Sequence, residues 1–450
     1  MSLLSKYNVA APRYTSYPTV PAWDKTPSQE EWKELVSASF KKTNSANGIS
    51  LYIHLPFCES LCTYCACNTR ITVNHKVEEP YIQSLLSEWK LYVQLFKERP
   101  RIKEIHLGGG TPTFFSAKNL HYLITELLKP AEICPEHDFS FEGHPGNTTR
   151  EHLQTLFDLG FHRVSFGIQD FDPQVQDVIN RYQSYEQVEF VVKEARRIGY
   201  SSVNFDLVYG LPLQKLETIR DTIKKVIELR PDRIAFYSYA HVPWLRPGQR
   251  KFTEKDLPVD QEKRLLYETG LSLFNLAGYK EIGLDHFAFE TDSLFQASKN
   301  KTLHRNFMGY TDKYTELMIS LGVSAISDTW NSFAQNIKAV EPYQEAVARG
   351  IFPISKGHVL NSEDLMIRWH ILNIMCRNET CFADEIYSLP AISEGLHRCR
   401  SLENDGLIEI DGWKLTVTEK GKTFLRNICL CFDVRYWRKT PEKATYSTVA

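Results

Sequence analysis

The chain has 450 residues, 42% of them hydrophobic, enough to bury a large core in one major domain with an appendage. Lys and Arg total 53 against 55 Asp and Glu, and the resulting net charge of −2 argues against a nucleic-acid tract or a polybasic membrane anchor. No stretch stays apolar for about twenty residues, and the start, MSLLSKYNVAAPRYTSYP, lacks the basic flank and apolar core of a signal peptide. A cytoplasmic protein that engages neither membrane nor nucleic acid is expected.

Residues 1–47 read as an irregular N-terminal arm, because PRYTSYPT supplies two prolines and the run is too rich in tyrosine for a flexible tail. From about residue 48 to 240, six strand-like runs follow: GISLYIHLPF, IKEIHLGG, HDFSFEGHP, RVSFGIQ, SVNFDLVYGLP and RIAFYSYAHVP. Between them lie amphipathic stretches such as EEPYIQSLLSEWKLYVQLFKE and YEQVEFVVKEARRIG, apolar at helical spacing. This series predicts an α/β fold, a partial parallel (β/α)6 TIM-like barrel, with its site at the C-terminal ends of the strands. Residues 258–278 read as a helix and LMISLGVSAISD as a further or closing strand, which extends the catalytic domain over 48–355.

Residues 356–450 change character. SEDLMIRWHILNIMC is helical in pattern, and GLIEIDGWKLTVTEKGKTFL reads as two short strands about Asp411-Gly412 followed by a helix, the outline of a winged helix. No basic recognition helix accompanies it, so a mostly helical domain that covers substrate is expected rather than a DNA reader.

The chemistry starts at Cys58-x3-Cys62-x2-Cys65, directly after the first strand. Three thiolates on one loop suit a cubic iron–sulfur cluster whose fourth iron stays open to an exchangeable ligand. Structural zinc is the alternative, but it needs a fourth donor, usually from a second cysteine pair, and none follows at suitable spacing. A Cys-x-Cys step in an extended chain points its side chains apart, so Cys67 is expected beside the cluster rather than on it.

Other candidates sit at the strand ends. The glycines of GGGTPT, which runs through Gly109, Gly110 and Thr111, let backbone approach a ligand closely, and the absence of a Walker or GxGxxG pattern argues against phosphate. Glu142 suits an ammonium group, Arg181 a carboxylate, Asp206 a ribose, and Gln169 adds an amide; each alone reads equally well as an ordinary salt-bridge or loop residue. Tyr52 and Tyr64 flank the cysteines, where they could stack on an adenine or sit in the core. The histidines form no HExxH pair, no Gly-x-Ser-x-Gly elbow occurs, and Cys429 and Cys431 read as packing residues.

The cysteine motif with Tyr64, followed by GGGTPT, resembles that of the radical S-adenosylmethionine (SAM) enzymes. PRYTSYPT, Cys67, SFGIQDF, NFDLVYGLP, HRNFMGYT and RNICLCFD narrow the resemblance, nearly end to end, to the oxygen-independent coproporphyrinogen III oxidases (coproporphyrinogen dehydrogenases). The resemblance implies a [4Fe-4S] cluster on Cys58, Cys62 and Cys65 whose free iron holds the amino and carboxylate groups of SAM. It implies that one electron splits the sulfonium C–S bond, that the resulting 5′-deoxyadenosyl radical takes a hydrogen from a propionate, and that carbon dioxide leaves while an acceptor takes the remaining electron, giving a vinyl group. Repeated once, this turns coproporphyrinogen III into protoporphyrinogen IX in heme biosynthesis.

The same resemblance implies two SAM molecules. The first would touch Tyr52, Gly109, Glu142 and Ile326; the second would touch Tyr64, Gly110, Thr111, Gln169, Arg181, Asp206 and Ala240, with Cys67 nearby. Arg13, Arg305 and Arg426, in family-like segments, are candidates for the substrate carboxylates and read equally as structural arginines. A monomer served by an electron donor such as a flavodoxin or ferredoxin system is expected. Ala66, His144 and Met308 depart from the glycine, acid and polar residue usual in such relatives, and none removes a ligand. A heme-binding chaperone or a radical heme methyltransferase is the nearest alternative; a non-catalytic metal-binding or redox-sensing protein is the more distant one.

Overall fold

In the computed structural model, which describes residues 3–382 and 389–438, the six runs become strands β1 (Ile49–Leu55), β2 (Arg101–Gly109), β3 (Glu132–Gly143), β4 (Phe161–Gln169), β5 (Ser202–Tyr209) and β6 (Arg233–Ser238). They pair side by side in chain order, all parallel. Parallel neighbours require crossovers, and these are helices α1 (Glu78–Val93), α2 (Ala117–Leu128), α3 (Arg150–Asp158), α4 (Tyr185–Ile198) and α5 (Leu216–Leu229), with α6 (Asp260–Leu276) after β6. Local sequence starts several of them: the side chains of Ser116, Thr149 and Ser184 accept the amides of Asn119, His152 and Gln187 as N-caps. Gly199, at φ 117°, ends α4 in the left-handed conformation that favours glycine.

Alternation along the strands sorts side chains to two sides. Ile105, Leu107, Phe139, Phe141, Phe166 and Phe205 join the main core together with residues of the helices. The intervening residues, polar for the most part, face a hollow on the other side of the sheet.

The sheet continues beyond these strands with β7 (Lys280–Gly283), β8 (His286–Ala288), β9 (Met318–Leu321), β10 (Ile326–Asp328), β11 (Ser332–Asn336) and β12 (Ile354–Val359). The strand order is β12-β11-β10-β9-β1-β2-β3-β4-β5-β6-β8-β7. LMISLGVSAISD therefore splits into two strands, of which β9 adds a parallel neighbour to β1 through pairs such as Leu51 with Ile319, while the outer strands pair antiparallel. Glu88 on α1 ties this extension down. Its fully buried carboxylate accepts hydrogen bonds from the Gly322 amide (2.8 Å), Asn336 Nδ2 (2.7 Å) and the Tyr343 hydroxyl (2.6 Å).

The arm is less irregular than expected. Gln29–Thr43 is a helix capped by Ser28, and Trp32, Val36 and Phe40, spaced four apart, enter the main core on one face. Upstream, Tyr14 and Tyr17 pack into a second core built with the C-terminal helices. Those helices are Ser362–Arg377, Pro390–Asn404 and Leu425–Phe432, and Ile408–Asp411 and Lys414–Val417 form a hairpin that Glu379–Cys381 extends to three strands. Strand β12 runs through the expected 355/356 boundary, so the change from the first core to the second falls after Val359. Of the expected domains, residues 1–2, 383–388 and 439–450 lie outside the described residues. No described helix is long and apolar enough to cross a membrane.

Candidate active site

Beyond β1 the chain folds back on itself, as Phe57–Cys58 pairs with Arg70–Ile71 and encloses the cysteine loop. The Thr63 amide donates to the Ile179 carbonyl (2.9 Å) and Asn180 Nδ2 to the Leu61 carbonyl (2.8 Å), which pins the loop to the segment following β4. Cys58, Cys62 and Cys65 thereby line one cavity of about 550 Å³ at the C-terminal ends of the strands.

Each thiol has a defined neighbour. Cys58 Sγ is 3.3 Å from Thr111 Oγ1, Arg181 Nη1 lies 3.7 Å from Cys62 Sγ, and the Cys67 amide donates to Cys65 Sγ at 3.4 Å. Burial pushes the Cys58 thiol up to about 11, whereas hydrogen bonding from Cys67 outweighs burial and draws Cys65 down to about 6. The extended-chain expectation for Cys67 does not hold. The loop turns after Cys62, so the Cys67 thiol contacts that of Cys65 and faces the same cavity.

The glycine run allows β2 to end against this loop. A Cβ on Gly110 would stand 2.6 Å from the Pro56 carbonyl carbon and oxygen and 3.0 Å from Cys58 Sγ; one on Gly109, itself at φ 116°, would stand 2.8 Å from the His54 ring. Across the rim, Glu142 lies 3.3 Å from His106 Nε2. Burial raises the Glu142 carboxyl, but His106, the Gly109 amide and His54 together outweigh it and hold the group below its usual range. Asp206 accepts from Ser165 Oγ (2.8 Å) and Asn204 Nδ2 (3.0 Å), and burial followed by the nearby Glu142 charge lifts it to about 6. Gln169 ends β4 at φ 66°, a conformation uncommon for a residue with a side chain and concentrated at functional sites. Arg181 Nε donates to the Gly167 carbonyl at 3.2 Å.

Tyr64, Cys67, Gly109, Gly110, Thr111, Glu142, Gln169, Arg181 and Asp206 thus share one cavity with the three cysteines. The remaining expected residues do not line it. Tyr52 stands behind the rim, its hydroxyl 3.1 Å from His54 Nδ1 and its ring stacked on His106. The Ala240 carbonyl accepts from Gln249 Nε2 (3.2 Å), and Ile326 opens β10 beside the cluster of Trp23 and Phe333. The three arginines separate in role. Arg13 pairs with Asp285 at 2.9 Å, and Arg426 donates to the carbonyls of Ala11 and Pro12. Arg305 is only 5% exposed, lies 4.4 Å over the Tyr310 ring, and has Nε and Nη1 without a partner among the described residues.

Ser165, Asn204 and Tyr237, which sequence reasoning did not single out, line the cavity, as do His106 and His286. The signal was a polar residue at every second position of runs otherwise apolar, such as Ser202, Asn204 and Asp206 on β5, which is how strands present an interior face. Gln249 was missed too; it bridges Ala240 to the Tyr64 carbonyl at 3.3 Å, and nothing in a lone loop glutamine marks that.

The radical SAM superfamily matches residues 52–226. Proteins named oxygen-independent coproporphyrinogen III oxidase match nearly the whole chain: that of Synechocystis sp. is 35% identical over 98% of this chain and 96% of its own, that of Escherichia coli 34% over 100% and 98%, and that of Helicobacter pylori 37% over 95% of each. The chain belongs to the oxygen-independent coproporphyrinogen III oxidase family. The solved structure of the Escherichia coli coproporphyrinogen III oxidase HemN, described as a radical SAM enzyme, superposes with a TM-score of 0.88 at 34% identity and covers 94% of this chain and 97% of that one. The large, mostly parallel α/β sheet is the fold of this oxidase family.

Membership in the radical SAM superfamily implies a [4Fe-4S] cluster and SAM, and the donor set of this coproporphyrinogen oxidase relative fits them. Its three thiols face one cavity, yet no three described His, Cys, Asp or Glu side chains converge on a single ion. A structural zinc needs such convergence on four donors, whereas a cubane spreads its thiolates over separate irons and leaves one corner open. The close-set glycine backbone, the Glu142 carboxylate and the Arg181 guanidinium suit ammonium and carboxylate groups of the kind SAM carries.

Proposed function

We propose that the chain oxidatively decarboxylates two propionate side chains of coproporphyrinogen III to vinyl groups, giving protoporphyrinogen IX in heme biosynthesis. The observation that carries this is a three-cysteine loop on the rim of a cavity, in a chain about a third identical end to end to oxidases of that name. When bound, the cluster and SAM supply the one-electron reductive cleavage of the sulfonium C–S bond and the hydrogen abstraction that follows. The protein binds, orients and excludes water.

In this assignment Cys58, Cys62 and Cys65 hold the cluster. Glu142, kept ionised by His106 and the Gly109 amide, meets an ammonium group. Arg181 is held in place by the Gly167 carbonyl to meet a carboxylate, and Asp206, steadied by Ser165 and Asn204, meets a ribose. The expected contacts divide between two SAM molecules as the family resemblance implies: Tyr52, Gly109, Glu142 and Ile326 for one; Tyr64, Gly110, Thr111, Gln169, Arg181, Asp206 and Ala240 for the other; Cys67 beside the cluster; of these, Tyr52, Ile326 and Ala240 stand off the cavity lining. Arg305, whose Nε and Nη1 have no partner among the described residues and whose guanidinium lies over the cavity wall residue Tyr310, is the strongest of the three arginines as an anchor for a substrate carboxylate. Arg13 and Arg426 support it by seating the arm. The architecture is a partial (β/α)6 barrel from residue 48 through β12, preceded by the arm 1–47 and followed by a winged-helix-like covering domain after Val359. The enzyme acts as a cytoplasmic monomer reduced by a flavodoxin or ferredoxin system.

The test is anaerobic incubation of the reconstituted, reduced protein with SAM and coproporphyrinogen III, following porphyrin mass and 5′-deoxyadenosine together. Two successive losses of carbon dioxide with deoxyadenosine formation are expected. Deoxyadenosine without decarboxylation would reject the substrate, and neither product from a cluster-loaded protein would reject the enzyme.

A further inference from the structure

Reductive chemistry at the cysteine loop consumes an electron from outside the chain, so some surface close to that loop must receive the carrier. The mouth of the cavity beside the loop is apolar: Leu61, 44% exposed, and Tyr182, 59%, belong to the cavity lining, while Trp244, 54%, and Leu245, 58%, lie outside it. Bonds and contacts join the segments that carry them: Asn180 Nδ2 donates to the Leu61 carbonyl (2.8 Å), a Cβ at Gly248 would lie 3.4 Å from Leu61 Cδ2, and Gln249 Nε2 donates to the Tyr64 carbonyl (3.3 Å). The 243–251 segment is itself held rigid, because Gln249 Oε1 accepts the Val242 amide (2.6 Å) and the Leu245 amide donates to the Val242 carbonyl (2.9 Å). Exposed apolar side chains gathered beside charged ones are a feature of protein interaction sites.

Charge indicates the kind of partner. Arg246, Arg250, Lys251 and Lys255 lie on this stretch against Glu254 and Asp256, and Asp256 is occupied in capping Thr253. The stretch adjoins the cysteine loop, since Gln249 donates to the carbonyl of Tyr64, the neighbour of Cys65, and a Cβ on Gly248 would lie 3.6 Å from the Thr63 carbonyl oxygen. Within a chain of net charge −2, this is a local cationic surface. We infer that the patch formed by Leu61, Tyr182, Trp244 and Leu245, with its rim of Arg250, Lys251 and Lys255, is the docking surface for a small acidic one-electron carrier protein whose redox group lies at its own surface. The inference rests on the proposed radical SAM reading for its electron balance: the reduced carrier gives up one electron, the cluster receives it, and the carrier leaves one electron more oxidised. Basic rims accelerate encounter with acidic partners and make it salt-sensitive, while a central Trp supplies the anchoring contact.

The experiment compares wild type with Trp244→Ala/Leu245→Ala and with Lys251→Glu/Lys255→Glu. None of these side chains lines the cavity. Formation of 5′-deoxyadenosine is measured with reduced flavodoxin and, separately, with dithionite as donor, and binding of oxidised flavodoxin is titrated at low and high salt. Both variants are expected to lose roughly tenfold in flavodoxin affinity and in the flavodoxin-driven rate, as truncation of interface anchors does, with the dithionite-driven rate unchanged and wild-type binding weakened by salt. Wild-type behaviour with both donors would overturn the inference, as would an equal loss with both, which would place the patch in the active-site architecture. Loss of a homodimer in the variants, seen by sedimentation, would assign the patch to a second copy instead. If wild type yields no deoxyadenosine with either donor, the radical reading fails while the binding titration still tests the surface.

Discussion

Gly110 and Asp206 show how single side chains set the site. The atoms a Cβ on Gly110 would meet are the backbone carbonyl of Pro56 and the thiol of Cys58, and a backbone group cannot swing aside as a flexible side chain would. Gly110→Ala should therefore cost about 1–3 kcal/mol through overpacking and displace the cysteine loop; urea denaturation and iron bound per chain after reconstitution should both fall below wild type. Asp206 is a case of function opposed to stability. Burial lifts its folded pKa to about 6, above the unfolded value near 4. Its favourable contribution is thus complete below about pH 4 and lost as pH rises through about 6. Asp206→Asn should melt a few degrees higher than wild type near neutral pH, with the difference vanishing towards about pH 4. The same variant should bind SAM more weakly if Asp206 meets a ribose.

At the scale of elements, strands and caps were largely readable because both depend on neighbours in sequence. The six strand runs and the Ser and Thr caps of α2, α3 and α4 are local patterns. Helix Gln29–Thr43 was legible in the spacing of Trp32, Val36 and Phe40 but was obscured by the prolines and tyrosines before it. The parallel pairing of β9 with β1 was not legible, since it joins residues more than 260 positions apart. That extension depends on Glu88, a buried carboxylate that burial raises to about 7 and that three donors partly restrain. A group raised in this way loses its stabilising contribution as pH climbs through about 7. Tyr343→Phe removes one donor to the anion, so it should cost about 1–3 kcal/mol, with a larger loss at about pH 8.5 than at about pH 5.5. Urea titrations at the two pH values decide this, and an equal loss at both would show that Glu88 does not change protonation between them.

For the whole molecule, the arm is the clasp between the two cores. Tyr14 is buried among the C-terminal helices and donates to Asp433 at 3.1 Å, Arg426 holds the Ala11 and Pro12 carbonyls, and Arg435 pairs with Asp24 at 2.8 Å. Each contact spans some 400 residues of chain, so the second core closes only when the chain's two ends meet. Tyr14→Ala should cost about 3–5 kcal/mol, the range for emptying a buried aromatic site. The loss should appear as protease cleavage in 389–438 before the sheet unfolds by circular dichroism; cleavage and sheet loss together would show the two cores to be one cooperative unit.

The sequence by itself determined what short-range spacing can carry: three cysteines on one loop after a strand, the βα alternation, the glycine run, and the near-complete match to one oxidase family. Only the tertiary structure decided which residues face one another. It bent the Cys65–Cys67 step so that both thiols enter one cavity, set Glu142 against His106, placed Tyr52 and Ile326 off the cavity lining, and left Arg305 Nε and Nη1 without a partner among the described residues while giving Arg13 and Arg426 structural partners. The physical reason is that ligand spacing and amphipathic period are properties of neighbouring residues. Burial, pKa and hydrogen-bond satisfaction are set by groups that approach only once distant strands have paired.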